Sequence, residues 1–244
     1  CFEGACRGHL WVDSLNVGDG DADGTEEHPY VTLSEALDVA FPGFVIHVRA
    51  GTYVGPFSIP QDDIGIVGTA TDEVTLTDGA GGVGLTLQGS GAHVRGVTLS
   101  GGRAGLHVKG AAGQRLNGVS FSGLRIENVG PAAGVEAAGV LLEHVDGAAL
   151  RNVVVDGVAA VDADAYGLQV RDASDVSVEE SQIAHVDASG GAAAAATGLS
   201  LSRTTSSRVE TVRISAIFGV GRGTGILVGD STTAGVFLST VSVG

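Results

Sequence analysis

The sequence predicts an all-β protein: a single-stranded right-handed parallel β-helix (solenoid) with a short N-terminal capping α-helix. The unit Gly-apolar-x-apolar recurs six times, and a second unit, apolar-x-x-apolar-x-apolar, begins 10 or 11 residues after each copy. Alternating apolar residues indicate short strands with one buried face, and such repeats are typical of turns that stack in parallel. The six units begin at Gly84, Gly105, Gly139, Gly167, Gly198 and Gly225.

The capping helix is predicted over about residues 32–41. Thr32 and Glu35 have the spacing of a capping box, apolar residues recur on one face, and Pro42 ends the pattern. We expect this helix to cover the first turn, because unpaired strand edges there would otherwise invite association. Domain organisation follows: residues 1–31 form an N-terminal Cys-containing and acidic loop segment, and 32–244 form the β-helix, with coils from about 44 onward. The repeat is still running at its end, which predicts further coils beyond residue 244.

Charge excludes two classes of partner. The chain has 13 basic and 28 acidic residues, a net charge of −15, which repels nucleic-acid phosphates and anionic lipid headgroups. No apolar run reaches the length of a membrane span. The sequence therefore predicts no nucleic-acid partner and no membrane span.

Two cysteines, Cys1 and Cys6, are separated by four residues that include Gly4. This spacing predicts a disulfide between them, which suits an oxidising compartment and hence a secreted or cell-surface protein. Three alternatives remain open: pairing with residues upstream, lipidation of Cys1, or metal binding.

The opening of the chain resembles a known family. The segments 24–30 (Gly-Thr-Glu-Glu-His-Pro-Tyr), 32–37, 45–53 and 59–68 are similar to the opening of pectin-lyase-like β-helix proteins, among them pectinesterases and bacterial surface proteins. The resemblance implies a bacterial secreted or surface protein with a parallel β-helix. It does not imply one activity, because the superfamily includes lyases, esterases, hydrolases, epimerases and non-catalytic adhesins.

A calcium site is one hypothesis for the acidic segment. Asp19, Asp21 and Asp23 match the first half of an EF-hand-type loop. Tyr30 stands at the twelfth position, where a Glu is needed. The alternative is a solvated acidic turn ahead of the capping helix. No other cofactor is predicted.

Aligned repeats also place charges in columns. Lys109, Glu143 and Arg171 fall in one column, and Arg151 lies beside Glu179 in another. Opposite charges on neighbouring strands stabilise a sheet. These residues are predicted to form a structural charge ladder.

Loops of variable length follow each second unit, and loops on a rigid solenoid are where binding usually occurs. Tyr166 is the one aromatic residue that this interpretation places on the loop-rich rim, although sugar-binding grooves normally use aromatic platforms. The possible binding rim is Arg125, Glu127, Tyr166, His185 and Asp187. If the protein is an enzyme, the candidate catalytic residues are Asp156, Asp162, Asp164 and Arg171.

These observations favour a non-catalytic extracellular or cell-surface scaffold, adhesin or assembly module. Its partner would be carbohydrate, or another copy or segment of a β-helix protein. The alternative function is a polysaccharide-active enzyme of the lyase or esterase type. Convergence of Asp or Glu with Arg in one cleft would favour the enzyme, and an even rim would favour the scaffold.

Overall fold

The computed structural model describes residues 8–230, 236–239 and 242–243. It confirms the parallel β-helix, because the named strands pair in parallel throughout one 14-stranded and one 9-stranded sheet. Cys1 and Cys6 lie outside the described residues, and their disulfide stays a prediction. Within the described residues, no helix has the length and apolar character needed to cross a membrane.

The first half of the chain forms one helix and ten strands. They are β1 (His9–Val12), α1 (Leu33–Val39), β2 (Val45–Val48), β3 (Gly51–Gly55), β4 (Phe57–Ile59), β5 (Gly65–Gly68), β6 (Val74–Asp78), β7 (Val83–Leu87), β8 (His93–Ser100), β9 (Ala104–Lys109) and β10 (Leu116–Asn117).

The second half is built from strands alone in its described parts. They are β11 (Ser120–Val129), β12 (Ala137–Glu143), β13 (Val145–Asp146), β14 (Ala149–Val161), β15 (Ala165–Ser174), β16 (Ser177–Glu179), β17 (Gln182–Ser189), β18 (Ala195–Thr205), β19 (Ser207–Glu210), β20 (Arg213–Gly219), β21 (Arg222–Gly229), β22 (Val236–Ser239) and β23 (Ser242–Val243).

Three faces surround the core. Face 1 consists of β1, β2, β5, the first residues of β8, β11 and β14, and then β16, β19 and β22. Face 2 consists of β3, β6, the later residues of β8, β11 and β14, and then β17, β20 and β23. Face 3 contains β4, β7, β9, β12, β15, β18 and β21.

Helix α1 has the predicted capping box. The Thr32 hydroxyl accepts a hydrogen bond from the Glu35 N–H at 3.2 Å, and the Glu35 carboxylate accepts one from the Thr32 N–H at 2.9 Å. The buried residues Leu33, Ala36 and Leu37 face the core, and the helix packs against β1 and β4 at the N-terminal end. The helix ends at Val39, slightly earlier than predicted.

The sheet begins earlier than the predicted coil start near residue 44. Strand β1 lies within the predicted loop segment 1–31 and pairs with β2. The reason is local: Leu10 and Val12 are buried and alternate with the outward-facing His9 and Trp11, which gives this short strand one core-facing side.

The repeated glycines of face 3 provide space. At Gly139, an added Cβ would collide with Val155 Cγ1 on face 2 and would lie 2.6 Å from Gly167 O in the next turn. Gly105, Gly167 and Gly198 face a β-branched side chain of face 2 in the same way. This column of glycines lets opposite walls of the solenoid approach closely.

Candidate functional site

The outer surface is shaped by columns of residues in the left-handed backbone conformation. One column runs along the edge of face 2 and contains Asn128, Gly157, His185 and Ala216, with φ of 55°, 85°, 51° and 54°. A left-handed residue bends the strand sharply at the same place in each turn. Stacked bends produce a groove parallel to the solenoid axis.

We call this depression the corner groove. It has a volume of about 590 Å³. Its floor is formed by small residues, because Gly130, Gly157 and Ala159 occupy positions where the following turns carry larger side chains. Phe218, which is 62% exposed, forms an aromatic wall at one end. The polar lining side chains are Asn128, His185 and Asp187.

A histidine–aspartate pair lies at the edge of the corner groove. His185 Nδ1 is 2.6 Å from Asp156 Oδ1, and the side chains are 67% and 41% exposed. A carboxylate oxygen accepts hydrogen bonds, so the tautomer of His185 that fits this contact has its proton on Nδ1 and donates to Asp156. This leaves Nε2 of the neutral ring as a proton acceptor, the arrangement of a general base oriented by a carboxylate.

The groove is acidic. Asp187 lines the groove and Asp156 lies at its edge. Glu127 is the neighbour of Asp156 in the adjacent turn. Arg125 lies two residues before Glu127 on the same face. Its nearest carboxylates are those of Asp72, at 3.8 Å, and Glu127, at 4.0 Å. This charge favours a neutral ligand over an anionic one.

The structure therefore brings together Asp156, His185 and Asp187 of the predicted residues, with Glu127 beside them. Sequence reasoning missed Phe218 and Asn128. Phe218 could have been found by extending the alignment of the repeats beyond the second unit. Ala159, Asp187 and Phe218 then fall at equivalent positions in successive turns.

The other predicted catalytic residues lie elsewhere and have structural partners. The Asp162 N–H donates to Ser189 O, and Asp162 is itself a left-handed corner residue. Asp164 accepts hydrogen bonds from the Ala195 N–H at 2.8 Å and the Tyr166 hydroxyl at 3.2 Å. Burial and then the Asp164 carboxylate raise the pKa of Tyr166 to about 12. These contacts hold the loop ahead of β15.

Arg171 belongs to a network on the outer surface of face 3. It contacts Glu136 at 3.1 Å and Glu143 at 3.6 Å, and Glu143 also pairs with His107 Nε2 at 2.8 Å. Burial lowers the pKa of His107, and the Glu143 contact opposes that shift. The predicted register of Lys109, Glu143 and Arg171 is confirmed.

The second predicted column is also confirmed in register, since Arg151 pairs with Glu179 between β14 and β16. The ion pair of Arg151, however, is made with the next residue, Glu180, at 3.0 Å. Glu180 is a left-handed corner residue. The bend there turns its side chain toward the previous turn.

In the acidic segment, the carboxylates accept hydrogen bonds from the loop itself. Asp19 accepts from Asn16 and Asp21 N–H and contacts His28 at 3.1 Å, and these hydrogen bonds lower its pKa. Asp23 accepts from the Thr25 N–H. Among the described residues, no three His, Cys, Asp or Glu side chains gather as a metal-binding group.

Taken together, the strand pairing and the stacked corners define a parallel β-helix protein with grooves on its outer surface. The chain belongs to the family described as "Protein of unknown function (DUF1565)", which matches residues 16–233. No curated protein matches the sequence.

Solved structures with a similar fold include pectin methylesterase from Aspergillus niger, at 14% identity and a TM-score of 0.47, covering 98% of this chain and 87% of that one. Pectate lyase Pel9A is 12% identical, with a TM-score of 0.49 and coverage of 99% and 78%. Pectin methylesterase PemA from Erwinia chrysanthemi is 9% identical, with a TM-score of 0.44 and coverage of 95% and 92%.

Proposed function

We propose that this protein is an extracellular polysaccharide-active enzyme that hydrolyses an ester on a neutral saccharide held in the corner groove. The observation that carries the proposal is the 2.6 Å pair of His185 and Asp156 beside the exposed ring of Phe218. Aromatic rings stack on the apolar face of a sugar, and planar polar side chains bind its hydroxyls. Asn128 and Asp187 would supply those hydrogen bonds.

His185 would act as general base. Its Nε2 takes a proton from a water molecule, and the water oxygen forms a bond to the ester carbonyl carbon. The bond from that carbon to the sugar oxygen then breaks, and the proton on Nε2 passes to the leaving oxygen. Asp156 accepts the Nδ1 proton throughout, holding the tautomer and stabilising the transient imidazolium.

The groove lining favours ester hydrolysis over elimination from an acidic sugar, and direct attack by water over a covalent intermediate. Elimination beside a carboxylate needs a cation to neutralise it, and the groove lining contains none among the described residues. The described lining residues also include no Ser, Thr or Cys that could act as a nucleophile. This favours direct attack by water over a covalent acyl intermediate.

The scaffold function is the second candidate, because many surface charges pair between turns. Arg151 with Glu180 and Arg203 with Asp172 are such pairs, and they stabilise stacking without any ligand.

The test is release of acid from O-acylated neutral polysaccharides by the purified protein. His185→Gln and Asp156→Asn are expected to lower kcat/KM by about 10²-fold or more, and Phe218→Ala to raise KM. The matched control is His144→Gln, since His144 is also a left-handed corner histidine, 4.0 Å from Asp172. Unchanged activity of His185→Gln would refute the proposed base. Absence of product from every ester tested would support the scaffold.

A further inference from the structure

A second groove runs along face 1, and its charged lining residues are Arg95, Arg151 and Glu180. It has a volume of about 690 Å³ and extends from Val67 to Glu180 over five turns. At about 4.8 Å per turn, this is a length of about 19 Å. The floor at Gly123 is open, because an added Cβ there would meet no atom closer than 3.8 Å.

Acidic residues are absent from the beginning of this face. The first six face-1 segments, which lie within the described residues, read His-Leu-Trp-Val, Val-Ile-His-Val, Gly-Ile-Val-Gly, His-Val-Arg, Ser-Phe-Ser and Ala-Leu-Arg. In a chain with 28 acidic residues, six consecutive segments without Asp or Glu mark a distinct surface. We call their outward column the face-1 stripe: Trp11, His47, Val67, Arg95, Ser122 and Arg151.

Side chains that carry N–H donors recur on every second turn of the face-1 stripe. His47, Arg95 and Arg151 are separated by one intervening turn each, which carries Val67 or Ser122. The repeat is about 10 Å. That distance is close to the length of two pyranose units in an extended chain. This repeat is not visible in the sequence, because the three residues belong to turns of different length and are therefore not evenly spaced along the chain.

The neighbouring charges that act on His47 are mainly positive. Arg95 has no ion-pair partner among the described residues. Burial, then His9 and Arg95, lower the pKa of His47, and Glu26 opposes them with the smallest effect. His9 Nδ1 lies 2.9 Å from His47 Nε2, and the Trp11 ring stacks on His47 at 4.4 Å. A bound anion would relieve this positive field.

We propose that the face-1 stripe binds a linear polysaccharide that carries one acidic group on every second sugar. Arg95 and His47 would each bind one acidic group, and Arg151, which is shared with Glu180, would bind a third at the end of the stripe. The neutral sugars would lie over Val67 and Ser122. This binding is independent of ester hydrolysis in the corner groove and would tether the protein to its polymer.

The experiment is calorimetric titration of the full chain at low salt with three probes: hyaluronan, with one carboxylate per disaccharide; polygalacturonate, with one per sugar; and neutral dextran. We expect hyaluronan to bind most tightly, dextran not to bind, and Arg95→Gln to weaken hyaluronan binding about tenfold. Binding should also raise the pKa of His47 in an NMR titration.

The matched control is Arg208→Gln, on the same face but beyond the stripe and paired with Glu210. It should leave binding unchanged. Failure of hyaluronan to bind, or full binding by Arg95→Gln, would overturn the proposal, and tighter binding of polygalacturonate would overturn the two-turn spacing. Arg95→Gln should hydrolyse a small neutral ester at the wild-type rate, so loss of either function is seen separately.

Discussion

Two kinds of column run along this solenoid, and they constrain the sequence in different ways. The inner glycine column of face 3, which includes Gly139 and Gly167, is required by space, because any Cβ would collide with face 2. The outer corner columns are required by conformation, because each residue adopts a left-handed backbone. His185 and Glu180 are two such corner residues.

The difference between the inner and outer columns explains which positions can acquire functional side chains. A position limited by space accepts glycine alone, and the repeated glycine is visible in the sequence. A position limited by conformation accepts Asn, Asp and His as well as Gly, at a modest energetic cost. Its side chain points outward and is free to carry chemistry. The corner columns therefore vary from turn to turn, and His185 is one of those variations.

The largest expected effect is on the inner column. Gly167→Val should lower the free energy of unfolding by about 3 kcal/mol or more, because its Cβ would collide with Ile183 and lie 2.7 Å from Gly198 O. Urea unfolding measures this. Gly113→Val is the control, since Gly113 is exposed with no atom near its Cβ position. Equal stability of the two variants would show that the column is not limited by space.

This contrast also accounts for what the sequence could predict. The capping box at Thr32, the strands and the stacking register followed from local periodicity, because each turn repeats the same inward pattern. Strand β1 was missed because its four residues stand outside the repeat, and their pairing depends on contacts with β2 that are remote in sequence.

The second prediction concerns the conformational constraint at Ala216, a left-handed residue in the same column as His185. Ala216→Gly should raise the free energy of unfolding by about 0.5–1 kcal/mol, because glycine adopts this conformation without a steric penalty. Ala216→Val should lower it by about 1–2 kcal/mol. Thermal unfolding of both variants tests this, and a stabilising valine would contradict the assigned conformation.

The third prediction tests an outward residue that is constrained by burial. The pKa of His107 is lowered from its ordinary value of 6.5, mainly by burial. The unfolded chain therefore binds the proton more readily, and stability should fall as pH drops below 6.5 toward the folded pKa. His107→Gln should lose this dependence. Urea midpoints at about pH 7.5 and about pH 5.5 provide the measurement. An identical pH dependence in both proteins would exclude His107 as its source.

Only part of the candidate site could be predicted, because its geometry also depends on contacts between residues that are remote in sequence. Asp156 could be selected as a catalytic candidate, and His185 and Asp187 as rim residues. Their approach, however, depends on bends at Gly157 and His185 that no local pattern specifies. Asp162 and Asp164 looked equivalent in the sequence. In the structure their hydrogen bonds go to backbone and loop partners, which only the stacked coils reveal.

The smallest expected effect is on a charge pair between corner residues. Arg203 and Asp172 are both left-handed, and the Arg203 guanidinium donates two hydrogen bonds to Asp172, at 2.6 and 2.7 Å. Those bonds lower the pKa of Asp172. Stability from the pair is therefore present above the ordinary value of 3.8 and is lost as pH falls through the lowered pKa.

Arg203→Gln should accordingly lower the melting temperature slightly at pH 7, because exposed ion pairs contribute little. The difference from wild type should shrink in 1 M salt and should shrink further as pH falls through the lowered pKa of Asp172. Arg208→Gln provides a control whose partner Glu210 lies on the same strand, so its loss should not depend on stacking between turns. If Arg203→Gln destabilised the protein as much as Gly167→Val, the corner residues would be as important for stability as the glycine column. Corner positions would then not be free to vary and to acquire functional side chains.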